Sequence, residues 1–319
     1  MKKGGFYIAV ATLLFSTMEI ALKTVAGVFH PVQLTFTRFF VGGLLLLPFA
    51  LRMLQKKGRR LSGGAAARFA LLGFVGVVVS MTLYQLAVMN TNASVVAVLF
   101  SSNPLFVLLF AFFLLREPVY PHNIIAIAVA VLGIIVLINP LHTDISTAGV
   151  LFTMLATLTF ALYGVMGKKQ CREYGGVVVT CFGFLFGSAE MFLLSLLSHI
   201  DGIACFLRSH GLSTFAEIPF VQGYTLANLS TMLYVSIGVT GIGYACYFMA
   251  MEKTSANTAS LVFFFKPALA PVLACVILKE TIPLHRAAGI LLILCGSLIS
   301  ILPGFLETKR SLKSKQLKQ

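Results

Sequence analysis

Apolar residues run through this chain in long blocks separated by short polar breaks, and the blocks share one length. A helix needs roughly 20 mainly apolar residues to cross the hydrocarbon layer of a bilayer. Ten segments meet that requirement: 5–25, 32–51, 67–89, 93–115, 121–140, 147–167, 176–198, 224–250, 255–278 and 284–303. The longest break, Ser198 to Gly223, carries Asp201, Arg208 and Glu217. Runs such as FVLLFAFFLL over 106–115 do not alternate in polarity, as the strands of a membrane barrel would. Helices also satisfy every backbone polar group inside lipid. The pattern predicts an all-α integral membrane protein of ten transmembrane helices.

The blocks repeat. SSNPLFVLLFAFFLLREPVYPH around Pro104 and FFKPALAPVLACVILKETIPLH around Pro267 align at a separation of 163 positions. The same separation superimposes Tyr84 on Tyr247, Thr91 on Thr254, Phe100 on Phe263, Glu117 on Glu280 and Gly133 on Gly296, with no gap from Tyr84 to Ile138. A fainter echo at 145 positions matches Ala11, Thr12, Phe15 and Lys23 to Ala156, Thr157, Phe160 and Lys168. The first half therefore holds extra residues between its early and late helices, in the basic loop around Lys56 to Arg60. The expected organisation is a first five-helix repeat over 1–140, a second over 147–303 and a basic tail over 304–319.

Composition agrees. Hydrophobic residues make up 58% of the chain and charged residues 11%, where a soluble domain carries about 25% charged residues. The net charge of +14 is written as topology rather than as a nucleic-acid surface. With the N-terminus inside, eighteen of the 24 Lys and Arg residues fall on the inner side and three on the outer, while Lys23, Arg38 and Lys266 fall within spans. This places both termini in the cytoplasm of a cell-membrane protein and requires an even number of spans. A five-helix unit used twice must then enter the membrane upside down the second time, giving two inverted repeats. The first segment has no small-residue cleavage site and reads as a retained helix. Six cysteines form no C-x-x-C pair and read as inert thiols, so neither a metal nor a cofactor is expected.

The chain resembles the drug/metabolite transporter superfamily, and within it the EamA-type members with two five-helix repeats. The resemblance rests on Lys23 late in helix one, Arg38 in TFTRFF, and a proline, glutamate and glycine pattern seen twice, as Pro104, Glu117, Gly133 and as Pro267, Glu280, Gly296. Two features depart from it. Phe15-Ser16 replaces the usual aromatic-glycine pair, and Glu19 stands where many members are neutral. The resemblance implies transport of an amino acid, metabolite, nucleotide sugar or drug, without choosing among them.

Intramembrane charges are the default candidates for chemistry. Lys266 lies mid-span directly before Pro267, and its repeat equivalent is Asn103 before Pro104. Prolines free backbone carbonyls one turn earlier, so Pro104 and Pro267 are read as helix kinks, and transporter sites form where such kinked helices meet at the midplane. Lys266 is read as holding a substrate carboxylate with Asn103 beside it, or else as pairing with a buried acid. Glu19 and Lys23, four apart, share a helix face. They read as a coupling carboxylate and its partner, or as a structural ion pair. Glu190 in helix seven is a second coupling candidate or the acid that faces Lys266. Arg38 binds an anionic group or snorkels outward. Tyr84 and Tyr247 line the path or anchor at the interface. Gly183 and Gly187 form a G-x-x-x-G spacing that reads as helix packing or as the face of a homodimer. Glu117 and Glu280 are expected to end helices and to pair locally with Arg116 and Lys279.

The leading function is a secondary transporter for a small, carboxylate-bearing solute such as an amino acid, working by alternating access in the lipid bilayer. An exporter of cationic drugs is the alternative. No G-x-x-x-x-G-K-[ST] sequence is present for ATP hydrolysis, no metal motif supports a membrane enzyme, and internal duplication argues against a channel.

Overall fold

The computed structural model describes residues 2–116, 121–138, 146–263, 266–296 and 298–299. Glu117 and the basic tail over 304–319 lie outside the described residues. Among the described residues seven helices are long and apolar enough to cross a membrane: α1 (Gly4–Thr24), α2 (Pro31–Lys56), α3 (Gly63–Asn90), α4 (Ala93–Leu115), α6 (Thr147–Tyr174), α7 (Gly176–Leu197) and α8 (Leu226–Lys253). Shorter apolar helices are α5 (Pro121–Ile138), α9 (Lys266–Leu278) and α10 (Leu284–Gly296). Among the described residues the only β-type pairing is an isolated bridge between Ala26 and Phe29. Large apolar side chains such as Phe113, Ile124, Val276 and Leu291 are more than half exposed, which suits a surface that faces lipid. Cys171, Cys181 and Cys246 are buried, but Cys205 and Cys295 are exposed.

Several helices are interrupted in mid-course. In α1 the helix Lys2–Ser16 stops at Thr17 and resumes over Met18–Thr24. In α4 the helix Ala93–Phe100 stops at Ser101 and Ser102, whose hydroxyls donate back to the Ala97 and Leu99 carbonyls at 2.6 and 2.7 Å. Serine hydroxyls that compete for backbone carbonyls weaken the helix at that point. The second half of α4 then opens on Asn103 and Pro104. Likewise α9 opens on Lys266 and Pro267, after separate short turns over Ala256–Ala259 and Ser260–Phe263. Each proline therefore starts a helix, where its missing N–H costs nothing, rather than bending a continuous one. Two further helices widen into π turns, α3 over Phe74–Met81 and α8 over Tyr234–Gly243. Those stretches almost coincide when the 163-residue separation is applied.

Repeat equivalents make equivalent contacts. Lys23 Nζ donates to the Val88 and Thr91 carbonyls, both at 2.8 Å. Lys168 Nζ donates to Met251 and Thr254, both at 2.6 Å. The lysines are 145 apart, and each pair of carbonyls is 163 apart. At the centre, equivalents touch each other. Phe100 and Phe263 pack edge to face with centroids 5.7 Å apart, and Tyr244 Oη donates to Met81 Sδ at 2.9 Å.

The G-x-x-x-G face of α7 is occupied from within the chain. A Cβ at Gly73 of α3 would lie 2.5 Å from the Gly187 nitrogen and 2.6 Å from the Gly183 carbonyl oxygen. The motif is thus helix packing between α3 and α7. Overpacking a tight site costs about 1–3 kcal/mol where neighbours can yield; here the neighbours are backbone. Gly73→Leu is expected to exceed that range, read as a lower melting temperature in detergent. Gly64→Leu, at a position with nothing within 4 Å, should leave it unchanged.

Candidate functional site

The interrupted helices bring together charges that sequence separates widely. Lys266, at the start of α9, forms an ion pair with Glu19 of α1 just beyond the break at Thr17, and both side chains are 0% exposed. Three rings surround the ammonium: Phe100 at 4.9 Å, Tyr84 at 5.6 Å and Phe263 at 6.0 Å from centroid to Nζ. Aromatic faces stabilise a desolvated cation by about 2 kcal/mol each at best, so the lysine is held from several sides. The Tyr84 hydroxyl lies beside the Glu19 carboxylate.

Arg38 of α2 is the second buried cation. Its guanidinium carbon sits 4.6 Å from the Phe39 ring centroid, and Nη1 points at Met18 Sδ 3.7 Å away. Glu19, Tyr84 and Tyr244 lie within its electrostatic reach. Nε and Nη2 have no protein acceptor. Asn103, opening the second half of α4, donates from Nδ2 to the Thr157 carbonyl at 3.2 Å, while Oδ1 has no donor. The hydroxyls of Tyr163 and Tyr247 are likewise buried without a protein partner. Unsatisfied buried polar atoms cost about 1–3 kcal/mol each.

The structure therefore gathers Lys266, Arg38, Glu19 and Tyr84, with Tyr247 on the adjoining aromatic wall, while the contact described for Asn103 is with Thr157 of α6. Phe160 links that wall to Phe100, Phe263 and Tyr247 at centroid distances of 5.3, 5.6 and 5.9 Å. The tyrosines are fully buried, which removes the interface-anchor reading. Other expectations change. Lys23 does not pair with Glu19; it lies one turn further along α1 and binds the carbonyls that end α3. Glu190 on α7 is half-buried and makes no ion pair among the described residues, so Glu19 and not Glu190 is the acid that faces Lys266. Glu280 does not pair locally with Lys279. It reaches α4 and accepts from the Ala93 and Ser94 nitrogens at 2.8 and 3.2 Å and from Ser94 Oγ at 2.6 Å. A carboxylate at a helix N-terminus satisfies orphan donors and the helix dipole together. Among the described residues no three His, Cys, Asp or Glu side chains group as metal ligands would.

The sequence reading missed the aromatic wall: Phe15, Phe160, Tyr163 and Tyr244. Phe15 and Phe160 were visible as repeat equivalents, but nothing in the sequence separated them from ordinary core aromatics.

The sequence pattern of the EamA-like transporter family matches this chain twice, over residues 2–139 and 147–302. The chain belongs to the EamA-like transporter family. It is 35% identical over 308 residues to an uncharacterized transporter of Clostridium kluyveri, covering 94% of this chain and 93% of that one. An uncharacterized transporter of Archaeoglobus fulgidus is 23% identical over 88% of this chain and 92% of its own. Protein PecM of Dickeya dadantii is 26% identical over 73% of this chain and 72% of its own. A protein of known crystal structure, 19% identical, superimposes with a TM-score of 0.68 over 94% of this chain and 98% of that one, which shows the shared fold. This EamA-like protein is a multi-pass membrane transporter of the drug/metabolite transporter superfamily.

Proposed function

We propose that this EamA-like protein is a secondary active transporter of the cell membrane that carries a small carboxylate-bearing solute, such as an amino acid, by alternating access. Ten helices form two inverted five-helix repeats, and both termini face the cytoplasm. The carrying observation is charge balance: Arg38 and Lys266 are fully buried against the single carboxylate of Glu19. An uncompensated buried charge costs several kcal/mol, so this centre favours a guest that brings one negative charge. Arg38 Nε and Nη2 supply the free donors for it. An ammonium on the same guest would meet Glu19, and the aromatic wall would meet an apolar side chain. Glu19 and Glu190 remain the carboxylates through which a proton or cation gradient would couple.

Export of cationic drugs finds support in the same ring cage. However, the Lys266 ammonium already occupies its cation position, so the carboxylate reading is favoured.

The test is thermal stabilisation of purified protein by matched pairs of solutes, each amino acid against its carboxamide. Free acids should raise the melting temperature and carboxamides should not. Equal stabilisation by both members of every pair would sink the reading.

A further inference from the structure

Away from the central site, a crevice of about 240 Å³ lies between α3, α4 and α6, lined by Arg68, Leu71, Leu72, Leu114, Leu115, Val165, Met166, Lys169 and Gln170. It is at the end of the bundle that carries the Lys56 to Arg60 loop. Its floor is apolar, and Leu71 and Leu114 beside it are more than half exposed, so it opens onto the lipid-facing surface. The cations stand one helical turn nearer the loop than the apolar residues on both walls: Arg68 against Leu72 on α3, and Lys169 against Val165 on α6. At about 1.5 Å per residue that is a separation of about 6 Å along each helix. Each headgroup layer is about 5–8 Å deep. The cations therefore lie nearer the loop end of the bundle than Leu72 and Val165, in the order that a headgroup and its acyl chain would follow.

The polar end has a charge excess. Glu173 is shared between Arg59 at 3.7 Å and Arg68 at 3.8 Å, and Arg68 also donates to Tyr174 Oη at 3.3 Å. Lys169 is exposed and has no acidic partner among the described residues. Three cations thus face one carboxylate. Independently, Gln170 is 8% exposed, lines the crevice, and its Oε1 has no donor. A phosphodiester satisfies the cations but carries no proton to offer that oxygen. A headgroup alcohol does.

We propose that this crevice binds an anionic phosphoglyceride with a hydroxylated headgroup, such as phosphatidylglycerol. Its phosphodiester sits between Arg68 and Lys169, an alcohol donates to Gln170 Oε1, and an acyl chain runs along Leu71 and Leu114. Basic pockets between membrane helices are suited to such headgroups. The proposal rests on the membrane-spanning fold and not on the solute, so the solute test above can fail without affecting it.

Native mass spectrometry of the full chain in detergent tests it, with dioleoyl phosphatidylglycerol, phosphatidic acid and phosphatidylcholine compared at equal concentration. Phosphatidylglycerol adducts should exceed phosphatidylcholine adducts at least ~5-fold, about 1 kcal/mol at room temperature. Lys169→Gln, which breaks no contact described above, should bring that ratio close to one. Gln170→Leu should erase the preference for phosphatidylglycerol over phosphatidic acid. Equal phosphatidylglycerol and phosphatidylcholine adducts, an unchanged ratio in Lys169→Gln, or displacement of the lipid by millimolar inorganic phosphate would overturn the proposal.

Discussion

Glu19→Gln is expected to be the most damaging single change in the buried centre, more so than loss of Lys266. The substitution leaves Arg38 and Lys266 as two uncompensated cations at fully buried positions. Removing one partner of a buried ion pair costs about 3–5 kcal/mol. Lys266→Met should cost less, because Arg38 remains within electrostatic reach of Glu19 and the net buried charge falls to zero. The double variant Glu19→Gln/Lys266→Met restores the original net charge and should recover most of the stability lost by Glu19→Gln. It should not recover solute binding. A guest ammonium that loses its charge-assisted hydrogen bond to Glu19 loses about 1.5–3 kcal/mol, or roughly 10- to 150-fold in affinity. Melting temperature and amino-acid stabilisation of the same four proteins separate the two effects. A double variant that melts like wild type and still responds to amino acids would reduce the pair to a structural ion pair.

Much of this arrangement was legible in the sequence, because the bilayer reduces the problem to length and charge. Blocks of twenty apolar residues located the seven long helices among the described residues, and a constant separation of 163 exposed the duplication. Lys266, Arg38 and Glu19 stood out since charge inside a membrane is expensive unless used. Their partners were not legible. Spacing of four identifies neighbours on one helix, which favoured Glu19 with Lys23. It cannot weigh a partner on another helix against them. Lys23 lies near the end of α1, where the carbonyls that terminate α3 offer two acceptors and the negative end of a helix dipole. Glu19, one turn deeper, is left to Lys266. The π turns and the break at Thr17 also had no sequence signal, since both depend on what packs alongside.

The repeat shows where the site departs from symmetry. At a separation of 145, Glu19 corresponds to Gly164 and Arg38 to Gly183; at 163, Lys266 corresponds to Asn103. Tyr247 Oη approaches Gly164, where a Cβ would lie 2.9 Å away, just as Tyr84 lies beside Glu19. The framework is duplicated, but the charges occur once. On the proposed reading, one framework alternates between two states related by a two-fold axis, while the singular charges give the solute one orientation in both.

That division of labour makes the duplicated lysines the natural controls of the two states. Lys23 ties α1 to the end of α3, and Lys168 ties α6 to the end of α8, through the same pair of carbonyl contacts. On the proposed topology Lys23 closes the outer end and Lys168 the inner. Each clasp comprises two charge-assisted bonds, and after resolvation of the freed carbonyls its loss should shift the balance of states by about 1–2 kcal/mol, roughly 5- to 30-fold in population. Lys23→Met should therefore favour the outward-open state and Lys168→Met the inward-open state. A single reporter cysteine at Ser101, beside the central break, in a background lacking the six native cysteines, reads this out with a membrane-impermeant thiol reagent. Labelling should rise in right-side-out vesicles for Lys23→Met and in inside-out vesicles for Lys168→Met. If both variants raise labelling from the same side, the two clasps do not guard opposite ends, and the alternating-access reading of the duplication fails with them.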